Sequence, residues 1–451
     1  MKNRFASAVL LFFILVSASV TGAQENRASS GNDEAFLSEF DFLPDMEARG
    51  KYLTIKIAVA GPGDELYLMW GHIGLVIEDA LSGESRFYDW GVFSFDTENF
   101  YYDFAFGRLF YSCAVSPAEY NLGHMMRENR DMTLYTLDLP PEVKTELLLF
   151  AENNVLPENR NYLYHHFRDN CATRVRDILN MVTGGDFAAR YFDAPGRYTL
   201  RQHVRRHTWF SPFWDWFFNF LMGQDIDRPI TVWEEMFLPS EIALCSKDFK
   251  YTDAWGAKRQ LVSKVEVLSK AKGRHAVAEI PPKSWIIELL LGLGLAVILG
   301  ILRIRAATPE KKRGGLSRFY KAERGSRYAF GILQAAMGLF FGLMGSLLFF
   351  MSFFTTHDYT WHNSNILFVN PLFLAAFPLA LIAAFGRKIK KRERSEYILQ
   401  ILWTVVFIGG IITIVIRLFP NFYQQNQPTQ ALLLPAAFVL SIIPPRLFPP
   451  R

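Results

Sequence analysis

Residues Phe330–Phe354 read FGILQAAMGLFFGLMGSLLFFMSFF and contain no charged side chain. A helix of this length crosses the hydrocarbon core of a bilayer, which is about 30 Å thick. Three other apolar runs are comparable: Ile286–Leu302, Ile366–Gly386 and Ile398–Ile416. Ala431–Pro445 is shorter and interrupted by proline, and it is predicted to be a further span. The sequence therefore predicts an all-α transmembrane domain of about five helices over residues 284–451.

The N-terminus has the pattern of a secretory signal peptide. Lys2 and Arg4 precede an apolar run, Phe5–Val16, and Thr21-Gly22-Ala23 forms a small-x-small cleavage site. A charged head, a short apolar body and a small-residue exit are typical of such signals. Residues 1–23 are therefore assigned to a signal peptide, which predicts that the domain after it is exported.

Basic residues indicate which loops stay in the cytoplasm. Arg303–Arg327 holds nine Lys or Arg and Arg387–Arg394 holds six, whereas Thr355–Asn365 between them holds none. Basic loops remain inside, so the region before the first span is predicted to lie outside, in agreement with the signal peptide. The net positive charge of the two loops is larger than the formal net charge of the whole chain, +4, so the rest of the chain is net negative. This distribution argues against a nucleic-acid partner.

The spans themselves carry little chemistry. They contain no His, Lys, Arg or Asp, and one acidic residue, Glu288, lies near the outer edge of the first span. Transporters and proton relays usually need ionisable groups at depth. An anchor or scaffold role is therefore favoured for the membrane part, while a lipid-binding groove, which needs no charge, stays open as an alternative.

Residues 24–283 form a predicted extracytoplasmic domain with an α+β pattern. Turn clusters at Gly61-Pro62-Gly63-Asp64 and Ser82-Gly83 separate apolar, β-branched runs. Ser116 is expected to cap a helix, with Glu119 completing a capping box. Strands are predicted at Tyr52–Ala60, Ile73–Glu78, Ser85–Tyr88, Leu109–Val115 and Met132–Leu139, and helices at Pro141–Asn153 and Asn170–Met181.

Two short motifs carry candidate chemistry. Trp70-Gly71-His72-Ile73-Gly74 enters a strand, and Asp169-Asn170-Cys171-Ala172-Thr173-Arg174 opens a helix that Asp169 or Asn170 can cap. Cys171 then lies in the first turn, where free amide groups and the helix dipole favour a thiolate. An imidazole on a neighbouring strand could serve as its base.

A structural interpretation of the same residues stays open at this point. A lone Cys is usually a small buried hydrophobe, and a His beside glycine is more often a packing or turn residue. Cys113 and Cys245 could form a disulfide in an oxidising compartment and leave Cys171 as the free thiol. Cys113 lies in mid-strand without a cap or a basic neighbour, which favours a structural role for it.

The stretch Trp209–Met222 reads WFSPFWDWFFNFLM and follows two arginines and a histidine, Arg205-Arg206-His207. One interpretation is a buried core segment. The other is an interfacial element that enters the headgroup region and guides lipid, with Trp214 and Phe217 as substrate contacts.

Adjacent histidines, His165 and His166, lie just before the Cys motif. No other ligand cluster accompanies them, so a metal site is not predicted. They are expected to line the approach to Cys171 or to pack locally.

The combination of motifs resembles the Lnb N-terminal periplasmic domain family over roughly residues 50–185. The layout of a signal peptide followed by several C-terminal spans is also similar to full-length Lnb lipoprotein N-acyltransferases of Bacteroidetes. The segments that carry the resemblance are Gly61-Pro62-Gly63-Asp64-Glu65-Leu66-Tyr67, Gly71-His72, Asp89-Trp90-Gly91-Val92-Phe93 and Asn170-Cys171-Ala172-Thr173-Arg174-Val175-Arg176-Asp177.

The resemblance implies a circularly permuted papain-like (NlpC-like) fold, as in lecithin:retinol acyltransferase-like proteins, in which the His strand precedes the Cys helix. It implies that Cys171 is the nucleophile, His72 the base and Asp89 the group that orients the imidazole. Relatives often read Asn-Tyr-Gly where this chain reads Asp89-Trp90-Gly91. Asn170, beside the nucleophile, is expected to contact the substrate.

The resemblance further implies ping-pong acyl transfer without a metal or cofactor. The acyl chain would pass from a membrane phospholipid, through a Cys171 thioester, to the α-amine of the diacylglyceryl-cysteine of a lipoprotein. The expected location is the bacterial inner membrane, with the catalytic domain in the periplasm. A papain-like peptidoglycan endopeptidase or amidase is the alternative enzyme, and the spans and the aromatic stretch count against it. A non-catalytic membrane scaffold is the third alternative, and the presence of both His72 and Cys171 counts against it.

Overall fold

The computed structural model describes residues 46–94, 99–283, 285–307 and 317–442, without side-chain detail for 307 and 317–323. The predicted signal peptide and the first residues after it lie outside the described residues. We refer to 46–283 as the N-terminal domain and to 285–442 as the membrane domain, and both belong to the single unit that runs from Glu47 onward.

A seven-stranded antiparallel sheet organises the N-terminal domain, with the strand order β6-β4-β3-β2-β1-β5-β9, and β7 and β8 form a separate hairpin. Ala60, the last residue of β1, pairs with both His72 and Met132, the first residues of β2 and β5. These three strands therefore meet at one end of the sheet, which we call the Ala60 end. The strands are β1 Leu53–Ala60, β2 His72–Asp79, β3 Glu84–Val92, β4 Leu109–Pro117, β5 Met132–Leu137, β6 Asn161–Tyr164, β7 Lys250–Thr252, β8 Lys258–Gln260 and β9 Val262–Ser269.

Helices cover both faces of the sheet. α4, α5 and α10 pack on one face and bury residues such as Ile57 and Leu75, while α3 covers the other over Val76 and Phe87. Full burial of such a side chain contributes about 1.5–3 kcal/mol to folding. The helices of this domain are α1 Met46–Gly50, α2 Phe100–Phe106, α3 Ala118–Arg127, α4 Pro141–Asn154, α5 Cys171–Val182, α6 Asp186–Tyr191, α7 Leu200–Thr208, α8 Pro212–Leu221, α9 Val232–Glu235 and α10 Pro239–Lys247.

The elements predicted from the sequence correspond closely to β1–β5, α4 and α5, with one correction. Ser116 does not cap a helix, because it remains in β4 and pairs with Phe87. The ladder continues one residue further, to Pro117, and α3 begins at Ala118 without a side-chain cap. Strand pairing therefore holds Ser116 in extended backbone, and its hydroxyl accepts a hydrogen bond from the Asn121 amide instead.

Four segments of the membrane domain are long and apolar enough to span a bilayer: Ile286–Ala306, Arg324–Phe354, Ser364–Phe385 and Ile389–Ile416. The expected fifth span is a shorter helix, Gln427–Ile442, with Pro435 inside it. At 1.5 Å per residue it covers only about 24 Å, and it packs against the first and fourth spans. The helices are α11 Ile286–Ala307, α12 Ser317–Phe354, α13 Ala376–Phe385, α14 Ile389–Ile416 and α15 Gln427–Ile442.

The third span is interrupted, since 3₁₀ turns at Ser364–Leu367 and Pro371–Ala375 precede α13. Glycines of α12 let the irregular backbone of the third span approach α12 closely. A Cβ added at Gly345 would lie 2.5 Å from the Asn370 nitrogen, and one at Gly342 would lie 2.7 Å from the Leu374 nitrogen. Small residues at such contacts are typical of helix packing in membranes.

The loop between the second and third spans, Thr355–Asn363, lies on the N-terminal domain, and we call it the roof loop. The Thr356 amide donates to the Phe106 carbonyl (3.0 Å), the Gly223 amide donates to the Tyr359 carbonyl (2.8 Å), and the Asn363 side chain donates to the Phe220 carbonyl (2.9 Å). The roof loop and the N-terminal domain therefore share one side of the membrane, in agreement with the distribution of basic residues.

We predict that His362 in the roof loop and Gly314 in the first basic loop lie on opposite sides of the membrane. A reporter active only in the periplasm should be active when fused after His362 and inactive when fused after Gly314, because basic loops remain in the cytoplasm. Fusion after Lys391, in the second basic loop, is the matched control and should behave like Gly314. Activity after Gly314 with none after His362 would contradict this topology.

Candidate active site

Cys171 is the first residue of α5, and a complete cap fixes the start of this helix. The Asn170 side-chain oxygen accepts from the Ala172 and Thr173 amides (2.9 Å each), and the Asn170 amide donates to the Thr173 hydroxyl (2.7 Å). The Asn170 NH2 group donates to the His166 and Phe237 carbonyls. Asn170 therefore positions Cys171 through the cap, and its contact with a substrate stays a prediction.

His72 begins β2 directly after Gly71, whose φ of +83° is a conformation that favours glycine. The His72 Nε2 atom lies 2.9 Å from Asp89 Oδ1, and the same oxygen accepts from the Gly91 amide at 2.7 Å. Cys171 interacts electrostatically with His72. Because Asp89 occupies Nε2, Nδ1 is the ring nitrogen left for proton exchange with the thiol.

Tight packing keeps the imidazole in place. A Cβ added at Gly91 would lie 2.6 Å from His72 Cε1 and 3.2 Å from Asp89 Oδ1. The pairing of β3 with β4 shifts register between Asp89 and Val92, and such irregularities re-aim side chains. The structure thus brings together the three predicted catalytic residues, Cys171, His72 and Asp89.

The electrostatics of the site favour a charged imidazole. Burial alone would lower the pKa of His72, but attraction to Asp89 and Cys171, together with their hydrogen bonds, raises the pKa of His72 to about 10. Burial would raise the pKa of Asp89, yet the adjacent His72 and the Gly91 amide hold it below its usual value. His72 is therefore held as an imidazolium beside the Asp89 carboxylate.

The other two cysteines differ from Cys171. Cys113, Cys171 and Cys245 are all free thiols, so the disulfide considered from the sequence is not formed. Burial raises the pKa of both Cys113 and Cys245 to about 12, which keeps their thiols protonated. Neither side chain has a hydrogen bond to a histidine among the described residues.

Three tyrosines flank the thiol on the β4–β6 side and were not identified from the sequence. Tyr111 stacks on Tyr164 with ring centroids 4.0 Å apart, and the Tyr162 hydroxyl donates to the Trp90 carbonyl. Burial raises the pKa of each of these tyrosines, and the charge of Cys171 adds to the effect. A possible signal was the Tyr-x-Tyr spacing at 162–164, which places both rings on one face of a short strand.

The roof loop covers the same side of the site. The His165 Nε2 atom lies 2.9 Å from Asp358 Oδ1, and the His166 ring packs against the rings of Tyr164 and Tyr359. Burial lowers the pKa of His166 to about 3, so this ring is neutral. The two histidines thus pack against the roof loop, and no group of three potential metal ligands occurs among the described residues.

The aromatic stretch Trp209–Met222, which we call the aromatic segment, lies against the membrane domain. Trp216 and Phe220 of α8 are buried among residues of the spans, with Trp216 stacked on Phe340 at 5.8 Å. Trp214 and Phe217 are half-buried, and Phe213 is 52 % exposed. The segment therefore combines a packed face with an exposed face.

The aromatic segment also reaches the strand that carries His72. Phe218 of α8 contacts Trp70, two residues before His72, with ring centroids 5.5 Å apart. Its Trp214 ring stacks on Phe218 in turn. Substrate contacts by Trp214 and Phe217 stay predictions.

Comparison with protein families gives two matches. The Lnb N-terminal periplasmic domain matches residues 43–206, and the Lnb transmembrane domain matches residues 317–443. The chain is an Lnb-type protein. The resemblance inferred from the sequence motifs is thereby confirmed, and His72, Asp89 and Cys171 all fall within the first match. No curated protein and no solved structure matches this Lnb-type chain.

The two matches define the general architecture of this Lnb-type protein. It is a membrane protein with a periplasmic domain of mixed sheet and helix, followed by a helical transmembrane region. The aromatic segment and β7–β9 lie between the two matched regions. They complete the domain beyond the part that the family match covers.

Proposed function

We propose that this Lnb-type protein is a thiol-dependent N-acyltransferase of the bacterial inner membrane. It moves an acyl chain from a phospholipid to the α-amine of the N-terminal diacylglyceryl-cysteine of a lipoprotein. The observation that carries the proposal is the Cys171–His72–Asp89 array, in which a helix-capped thiol interacts electrostatically with an imidazole held by a carboxylate. Nucleophile, base and orienting group are the arrangement that activates a thiol.

In the first half-reaction, the Cys171 sulfur attacks an ester carbonyl of the phospholipid. The carbon–sulfur bond of a thioester forms, the ester carbon–oxygen bond breaks, and a lysophospholipid leaves. In the proposed cycle the Cys171 proton lies on His72 when the sulfur attacks, and His72 transfers that proton to the departing oxygen. The Ala172 and Thr173 amides are occupied by Asn170, so the Cys171 amide is the proposed donor to the tetrahedral oxyanion.

In the second half-reaction, the free α-amine of the lipoprotein attacks the thioester carbonyl. An amide bond forms, the carbon–sulfur bond breaks, and the Cys171 sulfur leaves. His72 accepts the proton of the attacking amine and shares it with the released thiolate. The array thereby returns to its starting state, and neither a metal nor a cofactor enters the proposed cycle.

Contact between the two domains supports a substrate that stays in the membrane. Extracting both acyl chains from the bilayer would cost about 0.8 kcal/mol per CH₂, so the thiol must be brought to the lipid. The roof loop joins two spans and bonds to His165, six residues before Cys171. A peptidoglycan hydrolase would need an open polar groove, whereas tyrosines and the roof loop enclose this site.

We predict that Cys171→Ser and His72→Ala each lower lipoprotein N-acylation by about a thousandfold or more, because each removes a member of one catalytic unit. Cys113→Ser is the matched control and should retain activity, since this thiol has no part in the array. Mass spectrometry of lipoprotein N-termini from cells carrying each variant, at equal protein level, measures the outcome. Loss of activity in Cys113→Ser with normal activity in Cys171→Ser would refute the assignment.

The pH dependence of acylation tests Asp89. In the first half-reaction His72 must be protonated to donate to the leaving oxygen, and its pKa near 10 keeps it so through neutral pH. Acylation of Cys171 should therefore decline only as pH rises towards 10. Asp89→Asn removes the main attraction that opposes burial, so the decline should move about one to three pH units lower.

The control for this pH profile is Asp169→Asn, whose carboxylate pairs with Arg174 rather than with His72. Its profile should match that of the wild type in single-turnover acylation of the purified full chain. An Asp89→Asn profile that coincides with the wild type would show that the carboxylate does not hold the imidazole proton.

The aromatic segment is proposed to hold the site at the bilayer surface, where tryptophan and phenylalanine are favoured. Trp214→Ser or Phe217→Ser should lower acyl transfer from phospholipid vesicles by about tenfold, equivalent to about 1.4 kcal/mol of lost interfacial attachment. Transfer from a small soluble ester should stay nearly unchanged. Trp255→Ser, at an exposed hairpin turn of the periplasmic domain, is the control. A parallel fall in both activities and in thermal stability would mean that Trp214 and Phe217 serve only as core.

A further inference from the structure

Arg130 is a buried cation at the Ala60 end of the sheet. Its side chain is 2 % exposed, and it lies two residues before Met132, which pairs with Ala60. Ala60 also pairs with His72. The guanidinium therefore lies on the β1–β5 side of His72, whereas the three tyrosines lie on the β4–β6 side.

The hydrogen bonds of Arg130 leave part of its guanidinium unused. Nε donates to the Gly61 carbonyl at 2.9 Å, and Nη1 lies 3.6 Å from a Glu128 carboxylate oxygen. Nη2 is buried and has no hydrogen-bond partner among the described residues. Burying a charge costs several kcal/mol unless the charge is paired and hydrogen-bonded. The ion pair with Glu128 is longer than a hydrogen bond, so it offsets only part of the cost of burying the Arg130 guanidinium.

A second cation and a cavity adjoin Arg130. Arg274 lies close enough for its charge to oppose that of Arg130, and its Nη1 pairs with Asp64 at 2.7 Å. Arg274 lines a cavity of about 130 Å³. Pro62, another lining residue, directly follows Gly61, whose carbonyl accepts the hydrogen bond from Arg130. Phe210 of the aromatic segment forms another part of the cavity wall. The cavity wall thus combines Arg274 and its partner Asp64 with the aromatic segment, and Arg130 lies behind it.

Arg130 is also within electrostatic reach of the catalytic array. Burial lowers the pKa of Arg130, and the charges of Glu128 and Cys171 oppose that effect only in part. The charge of Arg130 in turn helps to keep the pKa of Asp89 low. In a glycerophospholipid, two or three glycerol carbons separate the acyl ester from the phosphate. The phosphate of a donor whose ester is bound at Cys171 therefore lies only a few bonds from the reacting carbonyl.

We propose that Arg130, supported by Arg274, binds the phosphodiester of the donor phospholipid while Cys171 attacks its ester. This inference rests on the proposed function, since it assigns the headgroup site of the same donor. A guanidinium presents N–H groups in a planar fork that matches phosphate oxygens. The acyl chain then extends towards the tyrosines and the roof loop, and the headgroup lies over the β1–β5 side.

The test compares donors with and without a phosphate. Purified full-length wild type, Arg130→Gln and Arg130→Lys are mixed with vesicles containing either phosphatidylethanolamine or diacylglycerol, and Cys171 acylation is followed by mass spectrometry. Cys171 of the wild-type protein should be acylated faster by phosphatidylethanolamine than by diacylglycerol. Arg130→Gln should lower that rate by about tenfold to a hundredfold, because a charge-assisted bond to phosphate is lost. The rate with diacylglycerol should change by less than about twofold.

Matched variants separate recognition from folding. Arg130→Lys keeps the charge but not the fork, and it should recover part of the phosphatidylethanolamine rate. Arg86→Gln, an exposed arginine of β3 away from the Ala60 end, should leave both rates unchanged. An equal fall with both donors in Arg130→Gln would make Arg130 a structural support for Gly61, and unchanged rates would also overturn the proposal.

A second measurement does not depend on acyl transfer. Glycerophosphocholine, a soluble phosphodiester without acyl chains, should slow alkylation of Cys171 by iodoacetamide in wild type and not in Arg130→Gln. If wild type accepts neither lipid but shows this protection, the acyl-transfer function fails while the phosphate site stands. Absence of protection in wild type refutes the site, and stronger protection by inorganic phosphate refutes the assignment to a lipid phosphodiester.

Discussion

The bond between His72 and Asp89 is the constraint on which the rest of the site depends. A buried imidazole would ordinarily lose its proton, and the carboxylate 2.9 Å away reverses that tendency. Two glycines of the surrounding backbone make this pair possible, because Gly71 turns the chain into β2 and Gly91 leaves room for the imidazole ring. The Asn170 cap then places Cys171 within electrostatic reach of the imidazole. The sheet, the register shift in β3 and the start of α5 all converge on this one interaction.

The second organising feature is the junction between the domains. A periplasmic domain tethered by one linker could turn freely above the membrane, but here the roof loop bonds to three separate parts of this domain, around Phe106, His165 and Phe220. Several of these bonds involve backbone groups, which depend on the fold rather than on particular side chains. The thiol therefore has a defined position relative to the spans, as the proposed transfer between two membrane-held substrates requires.

Local patterns in the sequence predicted local structure well. Alternation in β1, the β2–β3 hairpin and the Asn170 cap each depend on neighbouring residues, and hydropathy located the four long spans. The pairing of His72 with Cys171 was inferred from residue types and their placement and was then supported by the family resemblance, since the two residues are about a hundred positions apart and spacing alone says nothing about contact. Predictions failed where tertiary pairing decided, as at Ser116, which strand pairing holds in β4. Asp358 and Arg130 gave no local signal, because their importance comes from what the fold packs beside them.

The glycines of α12 have a consequence for how the protein responds to its lipid surroundings. At Gly331, Gly338, Gly342 and Gly345 the neighbouring span lies so close that an added methyl group would overlap it. Helices locked at this distance cannot slide past each other to adapt to a thicker or thinner bilayer. Hydrophobic mismatch is then taken up by tilting of the bundle or by deformation of the lipid. Because the roof loop connects the bundle to the periplasmic domain, any such tilt is transmitted to the height of the thiol above the acyl chains.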